Sequence, residues 1–216
     1  MKTRLEFETP RTPAEMKTLI DEITEDRESI SDADYHRRPR GIVKDLIEEY
    51  APLQVLAEHT ESDCKAYLMP VSNQGPDGVI ELSSGKKMMI QVTVADQDHQ
   101  TAMGRERLSE GHITIPASTR TRNPTTKGIE EQGRILTTRK ARLQEQISKI
   151  VTAVQQKNDN FHEGTDILLV SANIFLSDED LDHIWEDDLR AHVMSTGSPY
   201  PRICIDIRKE IIDVYP

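Results

Sequence analysis

Three residues carry the pattern with the most chemical content. Asp77 follows Pro76 at the head of one apolar run, and 14 residues on Gln91 and Thr93 sit two apart near the end of another. Side chains alternate between the two faces of a strand, so Gln91 and Thr93 project from one face and Ile90, Val92 and Val94 from the other. Polar groups on a central strand cost free energy unless something satisfies them. A hard cation with its waters would do so, since carboxylate and amide oxygens are the ligands such ions take. The Ser83-Ser84-Gly85 connection reads as a tight turn, with Gly85 in the left-handed position. Folding the chain back there pairs Leu82 with Lys86 and brings Asp77 opposite Gln91.

The surrounding sequence supplies the elements that would hold this hairpin. Thr12-Pro13-Ala14-Glu15 is a capping box with proline at the first helical position. Met16, Leu19, Ile20 and Ile23 follow at helical spacing, which predicts a helix to about Arg27. A turn-rich connector over 30–40 separates it from a second helix beginning near Gly41, with Glu48 and Glu49 near its end. Pro52 ends or kinks that helix. Residues 64–70, 78–82 and 87–94 read as three strands, and 100–110 as a short helix. Residues 137–157 form a further helix with Leu143, Ile147, Ile150, Val151 and Val154 as its apolar stripe. Then come a strand from Ile167, an acidic helix over 178–189, and a final hairpin from Ile203–Ile207 and Ile211–Tyr215. This order predicts an α/β layer on a mixed sheet.

Charge is unevenly distributed over the 216 residues, whose formal net charge is −11. Residues 112–142 hold seven basic and two acidic side chains, net +5, whereas 158–216 are net −9. The basic stretch includes Arg120, Arg122, Arg139 and Lys140, and its Thr, Gly and Pro content reads as a long loop. The acidic total argues against non-specific coating of nucleic acid but leaves room for one basic groove. The acidic C-terminal face would suit a basic protein partner. Seven histidines without a metal-spaced pair and two cysteines without a Cys-x-x-Cys leave no zinc site. There is no P-loop, dinucleotide fingerprint or nucleophile elbow. No apolar run has the length of a membrane span and the N-terminus lacks a signal-peptide stretch, so a cytoplasmic protein without a membrane is expected. Asp96-Gln97-Asp98-His99 reads as a polar strand-to-helix loop.

On Pro76-Asp77, Gln91-Val92-Thr93 and the order helix, three-strand meander, helix, strand, the chain resembles the PD-(D/E)XK nuclease-like superfamily over roughly residues 41–172. The resemblance implies a restriction-endonuclease-like mixed central sheet flanked by helices over 41–216. Residues 1–40 would be an N-terminal helical extension and 112–138 a basic insertion. It implies Mg²⁺, with Mn²⁺ as substitute, held by Asp77, Gln91 and Glu48 or Glu49, and hydrolysis of DNA phosphodiester bonds. Thr93 would position the attacking water. Lys86, Lys87, Arg105, Arg107, Arg120, Arg122, Arg139 and Lys140 would contact the DNA backbone. The chain departs from the pattern at two places. Gln91 brings no charge where the family has an acid, and Thr93 cannot replace the family's lysine, for which Lys86 or Lys87 would have to stand in. The second expectation is therefore a catalytically inactive nuclease-like domain serving as a protein-interaction or regulatory module. Self-association is open under both.

Overall fold

The computed structural model describes residues 3–25, 41–71, 75–95, 118–134, 139–172, 183–207 and 210–214. Its first helix, α1 (Pro13–Glu25), starts at the capping box read from the sequence: Thr12 N–H donates to Glu15 Oε2 at 2.8 Å, and Glu15 N–H returns to Thr12 Oγ1 at 3.4 Å. The second helix, α2, is one continuous run of three segments: α-helical Ile42–Asp45, a π-helical turn Leu46–Tyr50, and α-helical Ala51–Thr60. Pro52 therefore does not stop it. Proline lacks the N–H that the Glu48 carbonyl would otherwise receive, and its ring crowds that carbonyl. The wider π turn directly before it absorbs the mismatch, and Glu48 and Glu49 lie within that turn.

Strands β1 (Lys65–Leu68), β2 (Gly78–Glu81) and β3 (Lys87–Val94) form an antiparallel meander. The turn between β2 and β3 is the expected one. Leu82 N–H donates to the Lys86 carbonyl at 2.9 Å, and Gly85 has φ +81°, a left-handed value that favours glycine. A separate two-stranded hairpin, β4 (Ser118–Arg122) with β5 (Ile129–Arg134), occupies the basic stretch expected to be a loop. Asn123 turns it, its Oδ1 accepting from Thr125 N at 2.8 Å and Thr126 N at 3.0 Å.

Helix α3 (Arg139–Asn158) leads to β6 (Ile167–Ala172), which pairs parallel with β3. Helix α4 (His183–Met194), β7 (Arg202–Ile207) and β8 (Glu210–Asp213) complete the chain. The acidic helix thus runs past Leu189, and the expected helix over 100–110 lies outside the described residues. The main sheet has six strands in the order β1-β2-β3-β6-β7-β8, and β7 is parallel to β6. This is a mixed sheet flanked by helices.

Each sheet face has its own core. On one, Ile80, Ile90, Val92, Ile167 and Leu169 pack with Leu19 of α1 and Leu53 of α2. On the other, Leu168, Val170 and Ile205 pack with Ile150 of α3 and Leu189 of α4. The alternation along β6 shows directly which face each residue serves. The N-terminal segment belongs to the first core: Phe7 is fully buried and stacks on Tyr50 with ring centroids 4.4 Å apart. Backbone bonds tie it to β1, from Leu68 N to the Phe7 carbonyl at 2.8 Å and from Ala66 N to the Arg11 carbonyl at 2.8 Å.

Two stability predictions follow from this packing. A Cβ at Gly78 would lie 2.8 Å from Leu53 Cδ2 and 3.3 Å from the Tyr67 carbonyl. Gly78→Ala should therefore cost about 1–3 kcal/mol in urea unfolding, as overpacking does; a wild-type midpoint would mean that Leu53 has room to move. At the other sheet edge, Arg202 grips Asp213 with two 2.8 Å bonds and Cys204 Sγ lies 3.1 Å from Asp213 Oδ1. Partial burial pushes the Asp213 carboxyl up, but these bonds and the Arg202 charge outweigh it and hold the group below the ordinary value. A depressed folded value means the stabilisation is full above the ordinary carboxylate range and is lost as pH falls through the lowered value. The melting-temperature gap between wild type and Asp213→Asn should be open at neutral pH and close below about pH 4.

Candidate functional site

Asp77 precedes β2 and reaches β3 close to the place expected of it. Gly78 pairs with Ile90, and Asp77 N–H also donates to the Ile90 carbonyl at 2.9 Å, while Met69 N–H donates to the Asp77 carbonyl at 2.9 Å. Asp77 is thus bonded to Ile90, the neighbour of Gln91 on β3. Its side chain extends the ladder too, because Oδ2 accepts from the Val92 amide at 2.7 Å. One carboxylate oxygen is thereby committed to holding β3.

Gln91 is only 3% exposed and lies on the α3 side of the sheet. Its Oε1 accepts a hydrogen bond from the Tyr200 hydroxyl, which also lies 3.3 Å from the Lys157 carbonyl. Tyr200 is itself buried, with the edge of Phe161 against its ring at 4.9 Å. Burial, and after it the charge of Asp77, push the Tyr200 phenol up to about 12, so it stays a neutral donor at physiological pH.

Glu48 and Glu49 come from the π turn. Lys44 Nζ lies 3.9 Å from Glu48. Glu49 accepts from Arg4 Nη2 at 3.2 Å, and the same guanidinium meets Asp45 at 3.0 Å and the Met69 carbonyl at 3.3 Å. The Glu49 carboxyl is raised. Burial is the main cause, the Arg4 charge opposes it, and Asp77 adds to it, so Glu49 and Asp77 feel one another.

A magnesium ion wants near-octahedral oxygens. In this arrangement the Gln91 oxygen already serves Tyr200, Glu49 serves Arg4, and Asp77 keeps a single oxygen without a bond to the protein. Among the described residues no three His, Cys, Asp or Glu side chains converge in a metal-holding group. The donor set does not fit a magnesium site.

The remaining basic candidates are dispersed. Lys86 is exposed, and Lys87 pairs with Glu81 at 3.3 Å, which raises its pKa. Lys87 is four residues, about 13 Å of strand, from Gln91. Arg120 and Arg122 lie on β4, where Arg122 Nη1 donates to the Lys127 carbonyl at 2.9 Å. Arg139 and Lys140 open α3, with side chains outside the described set, and Arg105, Arg107 and the segment 96–99 lie outside the described residues altogether.

What Gln91 and Thr93 do share is a cleft of about 460 Å³, walled by Gln156, Lys157, Phe161 and His162 at the end of α3. Sequence reasoning missed this wall and Tyr200. The partners are far apart in sequence, Tyr200 being 109 positions from Gln91. The only local sign is a lone aromatic between Pro199 and Pro201. Compared with protein-family models, curated proteins and solved structures, the chain gives no significant match.

Two substitutions test the roles of these bonds. Tyr200→Phe leaves Gln91 Oε1 buried without its donor, and Asp77→Ala leaves the Val92 amide without its acceptor. Each should lower stability by about 1–3 kcal/mol. Asp77→Asn, which keeps a carbonyl acceptor, should lose less than Asp77→Ala in the same urea titration. Equal losses would show that the bond to Val92 contributes nothing.

Proposed function

We propose that this chain is a nuclease-like α/β domain of the restriction-endonuclease type that works as a binding module, without cutting. The fold half of the reading is supported by the order helix, antiparallel meander, helix, strand, with β6 parallel to β3 and Asp77 at the head of β2 bonded to β3. The observation that carries the functional half is the Tyr200–Gln91 hydrogen bond. It engages the amide oxygen that a cation would need and gives the third-strand position a neutral hydrogen-bond partner. Thr93 brings no ammonium group to stabilise charge near an attacking water.

A metal-dependent nuclease acting on DNA is the second reading. It is favoured by one observation, that the charge of Asp77 helps raise the Glu49 carboxyl, so two carboxyls from different parts of the chain lie near enough to repel one another. In that reading the basic residues of 112–142 hold the DNA backbone without sequence readout.

A plasmid-cleavage assay with Mg²⁺ and with Mn²⁺ separates the two. The binding-module reading expects no nicking by the wild-type protein. Gln91→Glu with Thr93→Lys restores the acid and the lysine of the nuclease pattern, and gain of cleavage by this variant alone would support a disabled nuclease scaffold. Wild-type cleavage that disappears in Asp77→Ala would overturn the module reading in favour of the enzyme.

A further inference from the structure

We propose that the cleft between β3 and the end of α3 binds the phosphate group of a nucleotide, with Gln91 Nε2, Thr93 Oγ1 and Lys157 Nζ as its donors and Phe161 beside the nucleoside. This names a ligand for the binding module proposed above and rests on that reading for its use, although binding itself needs no metal.

The orientation of Gln91 is the main argument. With Oε1 held by Tyr200, the amide nitrogen is the free end, and it has no protein partner among the described residues. It is not among the sealed polar atoms that lack a partner either, so this otherwise buried residue opens its N–H₂ onto the cleft it lines. A donor that opens into a cleft takes its acceptor from whatever fills the cleft. Its neighbours point the same way. Lys157 and Thr93 line the cleft as well, residues that bring an ammonium group and a hydroxyl, and among the described residues no carboxylate lines it.

The end of a helix carries partial negative charge on its last carbonyls, which would oppose an anion. Here those carbonyls are occupied. Gln155 O receives Asp159 N at 3.2 Å, and Gln156 O receives Asn160 Nδ2 at 2.9 Å. Lys157 O receives Asn160 N at 3.1 Å and lies 3.3 Å from the Tyr200 hydroxyl, and Asn158 O receives Phe161 N at 3.3 Å. Asp77, whose charge reaches Tyr200, is turned onto the Val92 amide and does not line the cleft. A volume of about 460 Å³ is within the range of small-ligand sites and exceeds what a bare phosphate requires. Phe161 offers the apolar surface that a base takes.

The test uses the full chain in EDTA, titrated separately with inorganic phosphate, adenosine monophosphate and a short single-stranded oligonucleotide, and followed by side-chain amide NMR. Adenosine monophosphate should shift the Gln91 side-chain amide saturably. Lys157→Ala should weaken that binding about tenfold through loss of a charge-assisted contact, and Lys157→Arg should largely restore it. Gln91→Glu sets a carboxylate against the phosphate and should abolish binding, whereas a metal site would be strengthened by the same change. Tyr200→Phe should weaken binding with an unchanged circular dichroism spectrum. Tighter binding of the oligonucleotide than of the mononucleotide assigns the cleft to a strand, and the reverse to a free nucleotide; both uphold the inference. Equal affinity for inorganic phosphate and adenosine monophosphate overturns the nucleoside half. No saturable shift up to about 10 mM, weaker than the few kcal/mol of a ~1 mM complex, overturns it entirely. So does binding indifferent to both Lys157→Ala and Gln91→Glu. Absent binding together with absent cleavage sinks this inference alone; wild-type DNA cleavage sinks the binding-module reading on its own evidence.

Discussion

The structure turns on the register between β2 and β3. Four paired rungs run from Glu81 opposite Lys87 to Gly78 opposite Ile90, and Asp77 secures the end of the ladder through its backbone bond to Ile90 and its carboxylate bond to Val92. A slip of one residue would send every side chain of β3 to the wrong face. Ile90 and Val92 would then leave the α1–α2 core, and Gln91 would enter it without a partner. Both ends of the hairpin guard against this. Gly85 fixes the turn at one end, and Gly78 admits Leu53 close against the backbone at the other. The residue with the most chemical promise in the sequence is thus also a structural one, and its carboxylate cannot be assessed as a ligand apart from that duty.

From this register the two sides of β3 acquire different characters. Toward α1 and α2 the sheet is apolar, and the polar cluster on that side, Arg4 with Asp45 and Glu49, sits at the margin where the π turn lifts the helix carboxylates. Arg4 is a cation supplied by the chain itself, and it brings the N-terminal segment into the same core as α2. Toward α3 the sheet presents Gln91 and Thr93 to a polar cleft closed below by Tyr200. Carboxylates and amide therefore serve two different neighbourhoods and do not gather around one point.

Much of this was legible in the sequence because it is local. The capping box at Thr12, the Ser83–Gly85 turn and the stripe of α3 are each set by neighbours a few positions away, and periodicity reads such features well. The antiparallel pairing of β2 with β3 was legible for the same reason, since turn length fixes hairpin register. The π turn that carries α2 past Pro52 was not, because a π turn has no residue signature. The β4–β5 hairpin was missed because β4 alternates threonine with arginine and β5 is almost wholly polar, so neither has the apolar alternation that marks a buried strand. Lys157 and Phe161 reach Gln91 through the parallel crossover from β3 to β6 and Tyr200 through the next one, from β6 to β7, and nothing near residue 91 announces them.

The neutral pair at the centre also explains how this core stands without an ion. An acid at position 91, as buried as Gln91, would leave a carboxylate out of water, and an uncompensated buried charge costs several kcal/mol. A protein with that acid needs a cation to complete its fold or accepts a raised pKa. Glutamine has the same length and the same oxygen, and one phenol satisfies it. Nothing then remains at that oxygen for a metal to neutralise, while the amide N–H₂ gains a fixed direction. The exchange of acid for amide removes the attraction for a cation and supplies a donor in its place. With Thr93 on the same strand face and Lys157 across the cleft, this strand position suits an anion better than a metal.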